Sequence, residues 1–314
     1  MATSGSINYS VDRDEIITEA LEQLGVLAEG QSPSSDQLTS MARTLNMLVK
    51  FLQAREFNLF ALQKVYVYLE KNKNSYSLSS STTDHFSAEY NRTTLAAAGT
   101  ALDTTITVAS ISNMADADYI GIKLTDGTMQ WTTINGAPSG TTVTLTDALT
   151  GAATSGDTVY FYTSKANRPM KIANAVVSDA VSGQDIPIWT VSRQEYVDLP
   201  NKTDDGQVNQ LYYDPQVGTG VLYVWPESST VDQYLTLWVL RTLEDFDAAT
   251  DDADFPQEWY LPLAFNLAAM SVTKYGVPRD TRLYIYKMAE QTLNEASSFD
   301  TEDGFQIVPD SRHK

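Results

Sequence analysis

Cysteine is absent from this sequence, and histidine occurs only at His85 and His313. Without cysteine there are no disulfides, no thiolate metal sites and no thiol catalysis. Two histidines leave almost nothing for a histidine-rich metal centre or a Ser-His-Asp triad. His85 follows Asp84, but adjacent side chains point apart, and no phosphate-binding loop of the G-x-x-x-x-G-K-[ST] kind occurs. Carboxylates are too numerous for a glycosidase pair to be singled out. The expectation is a protein that is not an enzyme and needs no cofactor.

Positive charge is also scarce: 21 Lys and Arg stand against 40 Asp and Glu, a formal net charge of −19. That balance argues against gripping duplex DNA, whose affinity comes from cations on phosphates. It leaves open a wall past which DNA slides. No run approaches the roughly 20 apolar residues of a membrane helix. Residues 1–10 lack the basic-then-apolar pattern of a signal peptide, so the chain is expected in the cytoplasm when made. What is plentiful is core material: 42% of the 314 residues are hydrophobic and 10% aromatic.

Residues 11–60 read as two helices. Asp12 and Glu15 have capping-box spacing, with Ile16, Ile17, Ala20, Leu21 and Leu24 on one face. Ser34 and Gln37 repeat the signal before a stripe of Leu38, Met41, Leu45, Leu48, Val49 and Leu52. Residues 65–69 and 75–78 read as strands. A Thr-rich block over 93–165 has short strands near 106–108, 119–124, 129–134, 143–145 and 159–162, with turns at Asp126-Gly127, Asn135-Gly136 and Gly156-Asp157. Between Thr93 and Ser164 its charged residues are six acids and Lys123. Strands resume near 170–177, 186–191, 210–213, 220–225 and 234–241, with a short helix at 192–199 capped by Ser192. Pro256, with Asp254 as its cap, opens a helix carrying Leu263, Leu267 and Met270. Gly276-Val277-Pro278 breaks it before a second helix over 281–296.

The expected fold is α+β. A helical body is built from the N- and C-terminal helices around a central antiparallel β region (1–92 and 166–298). A small β sandwich or barrel is inserted at 93–165, and 299–314 forms an extended arm.

Three stretches carry a family likeness: the helix pair from Asp12 to Phe57; Gln210-Leu-Tyr-Tyr-Asp-Pro215 with Leu222-Tyr-Val-Trp-Pro226; and Asp254-Phe-Pro-Gln-Glu-Trp259 leading into Leu263-Ala-Phe-Asn-Leu-Ala-Ala269. Together they resemble the head-to-tail adaptors of short-tailed bacteriophages, also called tail accessory factors or tubular tail proteins A. The 93–165 block exceeds the minimal family pattern.

The resemblance implies a structural subunit of the virion neck, made in the host cytoplasm, that closes into a twelve-subunit ring with copies of itself. Its partners would be the portal protein above and the tail nozzle or hub below, with genomic DNA passing along the axis and no membrane involved. Phe299, Phe305, Ile307, Val308 and Pro309 would anchor a portal-binding arm. Glu244, Asp245, Asp247, Asp251, Asp252 and Asp254 would face the channel or a basic partner. Leu45, Leu48, Leu52, Trp259, Leu263, Leu267 and Met270 are candidates for contacts between subunits or for packing within one. The alternatives are another tail component whose 93–165 domain reads a host-surface glycan, and a cell-wall hydrolase. The five tryptophans, Trp131, Trp189, Trp225, Trp238 and Trp259, are dispersed as core fillers usually are.

Overall fold

A computed structural model of the chain describes residues 5–55 and 59–299. It divides into two compact units, Met1–Ala61 with Leu243–Lys314, and Leu62–Thr242. Five α-helices occur among the described residues: α1 (Arg13–Gln23), α2 (Ser35–Gln53), α3 (Arg193–Val197), α4 (Tyr260–Tyr275) and α5 (Arg279–Phe299). None is long and apolar enough to cross a membrane.

The expected helical body is not what forms. Seventeen strands in five sheets make the larger unit, and α3 is its single short helix. The reason is long-range pairing. The segments read as connecting strands find partners far along the chain and enclose a core of their own, which no local periodicity announces.

In the smaller unit the start signals hold. Asp12, Ser34 and, in the β unit, Ser192 each accept a hydrogen bond from the backbone N–H three residues on, and Glu15, Gln37 and Glu195 return it. Each such exchange satisfies donors that would otherwise be orphaned at a helix start. α4 packs against α1, α2 and α5. Its Leu263, Leu267 and Ala268 are fully enclosed, and α1 contributes Ile17 and Leu21 to the same interior. Gly276, left-handed at φ 62°, ends α4 where a Cβ would be strained. Asp254 caps no helix. The first turn, Gln257–Trp259, is a 3₁₀ turn without a side-chain cap, and the Asp254 carboxylate instead accepts the Glu244 N–H at 3.1 Å.

The β unit begins with β1 (Leu62–Tyr68), which runs antiparallel to β17 (Gln233–Leu240) in register from Leu62↔Leu240 to Tyr68↔Tyr234. β17 pairs on its other side with β10 (Lys171–Asp179). The edges are β3 (Phe86–Ser87) and β11 (Asp185–Pro187). A second sheet has the order β12-β14-β15-β2, made of Trp189–Thr190, Gln210–Asp214, Gly220–Trp225 and Ser75–Leu78. Val65, Val67, Leu235 and Leu237 of the first sheet share a buried cluster with Leu211, Leu222 and Val224 of the second. Burying each such side chain is worth about 1.5–3 kcal/mol.

A further four-stranded sheet spans the Thr-rich block, in the order β4 (Asn91–Thr94), β9 (Thr158–Tyr162), β6 (Tyr119–Lys123), β7 (Met129–Thr133). The small pair β5 (Thr105–Thr107) and β8 (Thr142–Thr144) accompanies it. This block has a separate core that includes Val108, Ile120, Val143 and Phe161.

An aromatic seam joins the block to the first sheet. Tyr68 of β1 lies 4.9 Å from the Tyr160 ring, 5.6 Å from Tyr162 and 5.2 Å from Trp131, centroid to centroid. Beside the seam the Lys123 ammonium meets the Asp232 carboxylate at 2.5 Å, and the Thr158 hydroxyl donates to the same carboxylate at 2.8 Å.

Candidate functional site

The acidic segment expected to face a channel or partner follows β17 and folds against α2. Asn46 clamps it. Its amide N–H donates to the Phe246 carbonyl at 3.1 Å, and its amide oxygen accepts the Phe246 N–H at 2.9 Å. Lys50 donates to the Leu243 carbonyl at 2.8 Å and pairs with Asp245 at 2.7 Å. Phe246 is thereby buried, while Glu244, Asp245, Asp247 and Asp252 stay exposed.

Asp251 and Asp254 serve the loop itself. The Asp251 carboxylate accepts the N–H groups of Asp247 and Ala248 at 2.8 and 2.6 Å. The backbone of Arg13 reaches the Asp251 carbonyl at 3.0 Å, tying α1 to the loop. The arrangement is a hydrogen-bonded turn that holds four carboxylates in solvent. Among the described residues no group of acids or histidines is arranged to hold a metal ion.

The candidate packing residues divide sharply. Leu45, Leu48, Leu52, Trp259, Leu263 and Leu267 are buried within the helical unit. Met270 is exposed. Trp259 shares an aromatic knot with Phe60 and Phe255, at centroid distances of 5.7 and 5.9 Å. The Asp254-to-Trp259 run is therefore a packing device at the entry to α4.

Apart from Met270, sequence reasoning missed the apolar residues that face outward. Met47 and Phe51, one turn apart on α2, are 53% and 52% exposed. The Arg55 guanidinium lies 4.6 Å from the Phe51 ring centroid. On α5 the outward residues are Leu283, Tyr284 and Tyr286. Their signal was available: they are apolar positions off the buried stripe of Ile285, Ala289, Thr292 and Ala296. The arm residues Phe305, Ile307, Val308 and Pro309 lie outside the described residues, as does the side chain of Phe299.

No family model matches the chain, and no curated protein matches it. Solved structures with a local likeness include the Gp54 tailspike of Acinetobacter baumannii bacteriophage AP22, determined in complex with A. baumannii capsular saccharide. The two are 16% identical over a match that spans 23% of this chain and 15% of the tailspike, at a TM-score of 0.20. A likeness of that size carries no argument about fold or function.

In the β unit the tryptophans are not uniformly core fillers. Trp189 is 75% exposed on β12, opposite Gln210 of β14, which in turn is opposite Trp225 of β15. Ile188 and Leu211 face the core, so by strand alternation Trp189 and Gln210 share the outer face. Next along that face, Tyr212 and Tyr223 stack at 5.8 Å, with Tyr196 of α3 against both.

His85 is a structural group. Its ring stacks on Trp131 at 3.9 Å and 5°, and its Nδ1 shares a 2.6 Å hydrogen bond with the Tyr162 hydroxyl. Burial, together with the ammonium groups of Lys165 and Lys73, pushes its pKa down to about 3. Neighbouring Asp84 turns away, pairing with Lys73 at 2.5 Å and accepting the Ser77 N–H at 2.6 Å.

Proposed function

We propose that this chain is a structural component of a bacteriophage tail and, more finely, a head-to-tail adaptor that joins the portal to the tail nozzle. The observation that carries this reading is the helical unit. α1 and α2 are gathered into one unit with α4 and α5. Leu45, Leu48, Leu52, Leu263 and Leu267 are buried in it, yet Met47, Phe51, Met270, Leu283, Tyr284 and Tyr286 project outward from three helices. Side chains of that kind on rigid helices suit side-to-side contacts that close a ring. The sequence likeness to the adaptor family, through the Asp12-to-Phe57 and Asp254-to-Ala269 stretches, supports the same reading.

In this proposal the acidic turn lines the channel or meets a basic portal surface. Its exposed carboxylates repel the DNA backbone and leave it mobile. The arm beyond residue 299 docks on the portal. The test is the mass of the purified chain alone and mixed with the portal protein of the same virion. The expected result is a monomer alone and a closed ring on the portal, with attachment lost when residues 300–314 are deleted. A chain that ignores the portal would overturn the adaptor reading.

A second reading is a tail component that holds a host-surface glycan. What supports it is the outer face of β12 and β14, where the exposed Trp189 is the cross-strand neighbour of Gln210. A bare aromatic face next to an amide suits the apolar face and hydroxyls of a pyranose. Retention on purified bacterial surface polysaccharide, lost in Trp189→Ala, would favour this reading over the first.

A further inference from the structure

Charge is sorted between the first two helices of the helical unit. From Asp14 to Leu27 the sequence has four acids and no Lys or Arg. From Gln37 to Arg55 it has three cations and no Asp or Glu. In the folded unit each of these charges edges an exposed apolar surface.

The acidic surface is concave. An open groove of about 640 Å³ lies between α1 and the start of α4. Val11 and Ile16 form an apolar floor, and Tyr9 and Leu261 stand exposed on its walls. Glu19 and Glu22 lie on its rim, and no Lys or Arg lines it. Neither carboxylate is in an ion pair among the described residues. The groove suits an apolar side chain that arrives with positive charge.

The basic surface is convex. Arg43, Met47, Phe51 and Arg55 recur at every fourth residue and all are exposed, so they form one ridge along α2. Met47 and Phe51 are its apolar crest. The Arg55 guanidinium lies 4.6 Å from the Phe51 ring centroid, so a cation travels with the ring into whatever the ring enters. Lys50, in contrast, is already paired with Asp245, while neither Arg43 nor Arg55 has an acidic partner among the described residues.

Ridge and groove are complementary in shape and charge, and they share no residue. One copy can therefore use both at once.

We propose that the α1–α4 groove receives the α2 ridge of a second copy of this chain, with Met47 and Phe51 over the apolar floor and Arg43 and Arg55 against Glu19 and Glu22. Such a contact is heterologous and passes from copy to copy, as a ring requires. One ridge in one groove is smaller than a permanent interface, which fits a chain that associates weakly until a partner gathers several copies. The inference deepens the adaptor reading, on which its role as the joint of a ring rests.

The absence of native cysteine makes the test direct. Two full-length chains, one with Thr18→Cys in the groove and one with Ala54→Cys beside the ridge, are mixed at high concentration and low salt and treated with a short bismaleimide. The mixed dimer should exceed both dimers of like chains. It should be lost when the groove chain also carries Glu19→Lys/Glu22→Lys, and regained when the ridge chain then carries Arg43→Glu/Arg55→Glu. Phe51→Ser in the ridge chain should lose it too. Circular dichroism checks that the variants stay folded. Absence of the mixed dimer overturns the proposal, as does a yield that charge reversal leaves unmoved or like dimers that form equally well. If the groove cysteine links only to the portal protein once that is added, the portal is the occupant and the second-copy assignment fails. Failure of the adaptor reading looks different: the cross-link persists in a chain that ignores the portal.

Discussion

The helical unit and the β unit bury similar kinds of side chain, but they announce it differently. α2 shows its buried face within its own sequence, since Met41, Leu45, Leu48, Val49 and Leu52 recur at helical spacing and all are enclosed. β1 shows only that it alternates. That its partner is β17, at the other end of the unit, and that Tyr68 ends against Tyr160 and Tyr162 of the Thr-rich block, appears nowhere in residues 62–68. The helices are local objects with exposed outer faces. The strands are defined by distant chain, and their inner faces close cores that no single strand announces.

That contrast can be broken by unequal damage. Tyr68→Ala removes a fully buried ring from the seam, and Leu267→Ala hollows the centre of α4. Each is expected to cost about 3–5 kcal/mol. If the units melt separately, Tyr68→Ala lowers one transition and Leu267→Ala the other in a calorimetric scan. A common shift in both variants would mean that the two units unfold as one.

A smaller loss is expected from Asn46→Ala, which strips the Phe246 N–H and carbonyl of their partner. About 1–3 kcal/mol should go, read as faster hydrogen exchange at Phe246 and its neighbours while the β unit keeps its protection.

The seam should respond to acid. Since the folded His85 has a pKa of about 3 against 6.5 for a free imidazole, the unfolded chain binds a proton between those values that the folded chain does not. Stability should therefore rise with pH across that window and be flat in this group's contribution above it, by about 1 kcal/mol per pH unit once partial exposure is allowed for. His85→Gln should flatten that slope in urea titrations from pH 4 to pH 7.

Least change in stability is expected from Met47→Ser with Phe51→Ser. Both residues are half exposed, so folding should shift by only about 1–2 kcal/mol for the pair. Ring formation on a partner should fail all the same.

The sequence was most legible where a single residue decides local geometry. The three capping boxes, the strands of the Thr-rich block and the glycine turns at Gly127, Gly136 and Gly156 are where their residue types demand. It was least legible in the balance between the units. The helix stripes are conspicuous, so they suggested a helical body, whereas strands as short as Phe86–Ser87 or Trp189–Thr190 carry almost no signal of their own. The candidate surface shows the same limit. Leu45 and Met47 are both apolar and close in sequence, yet one is enclosed and the other faces solvent, because packing against α4 selects the stripe. Asp254 looked like a helix cap, but its carboxylate closes a loop onto Glu244, a contact only the folded turn creates.

The adaptor proposal comes down to location and neighbours. An averaged electron micrograph of the neck of the intact particle, with this chain fitted into the density, tests it most directly. The account expects a closed ring of copies under the portal, with Met47, Phe51 and Leu283 at the seams between neighbours. Density at the neck that this chain cannot fill, or copies found only at the distal, host-facing end of the tail, would contradict it.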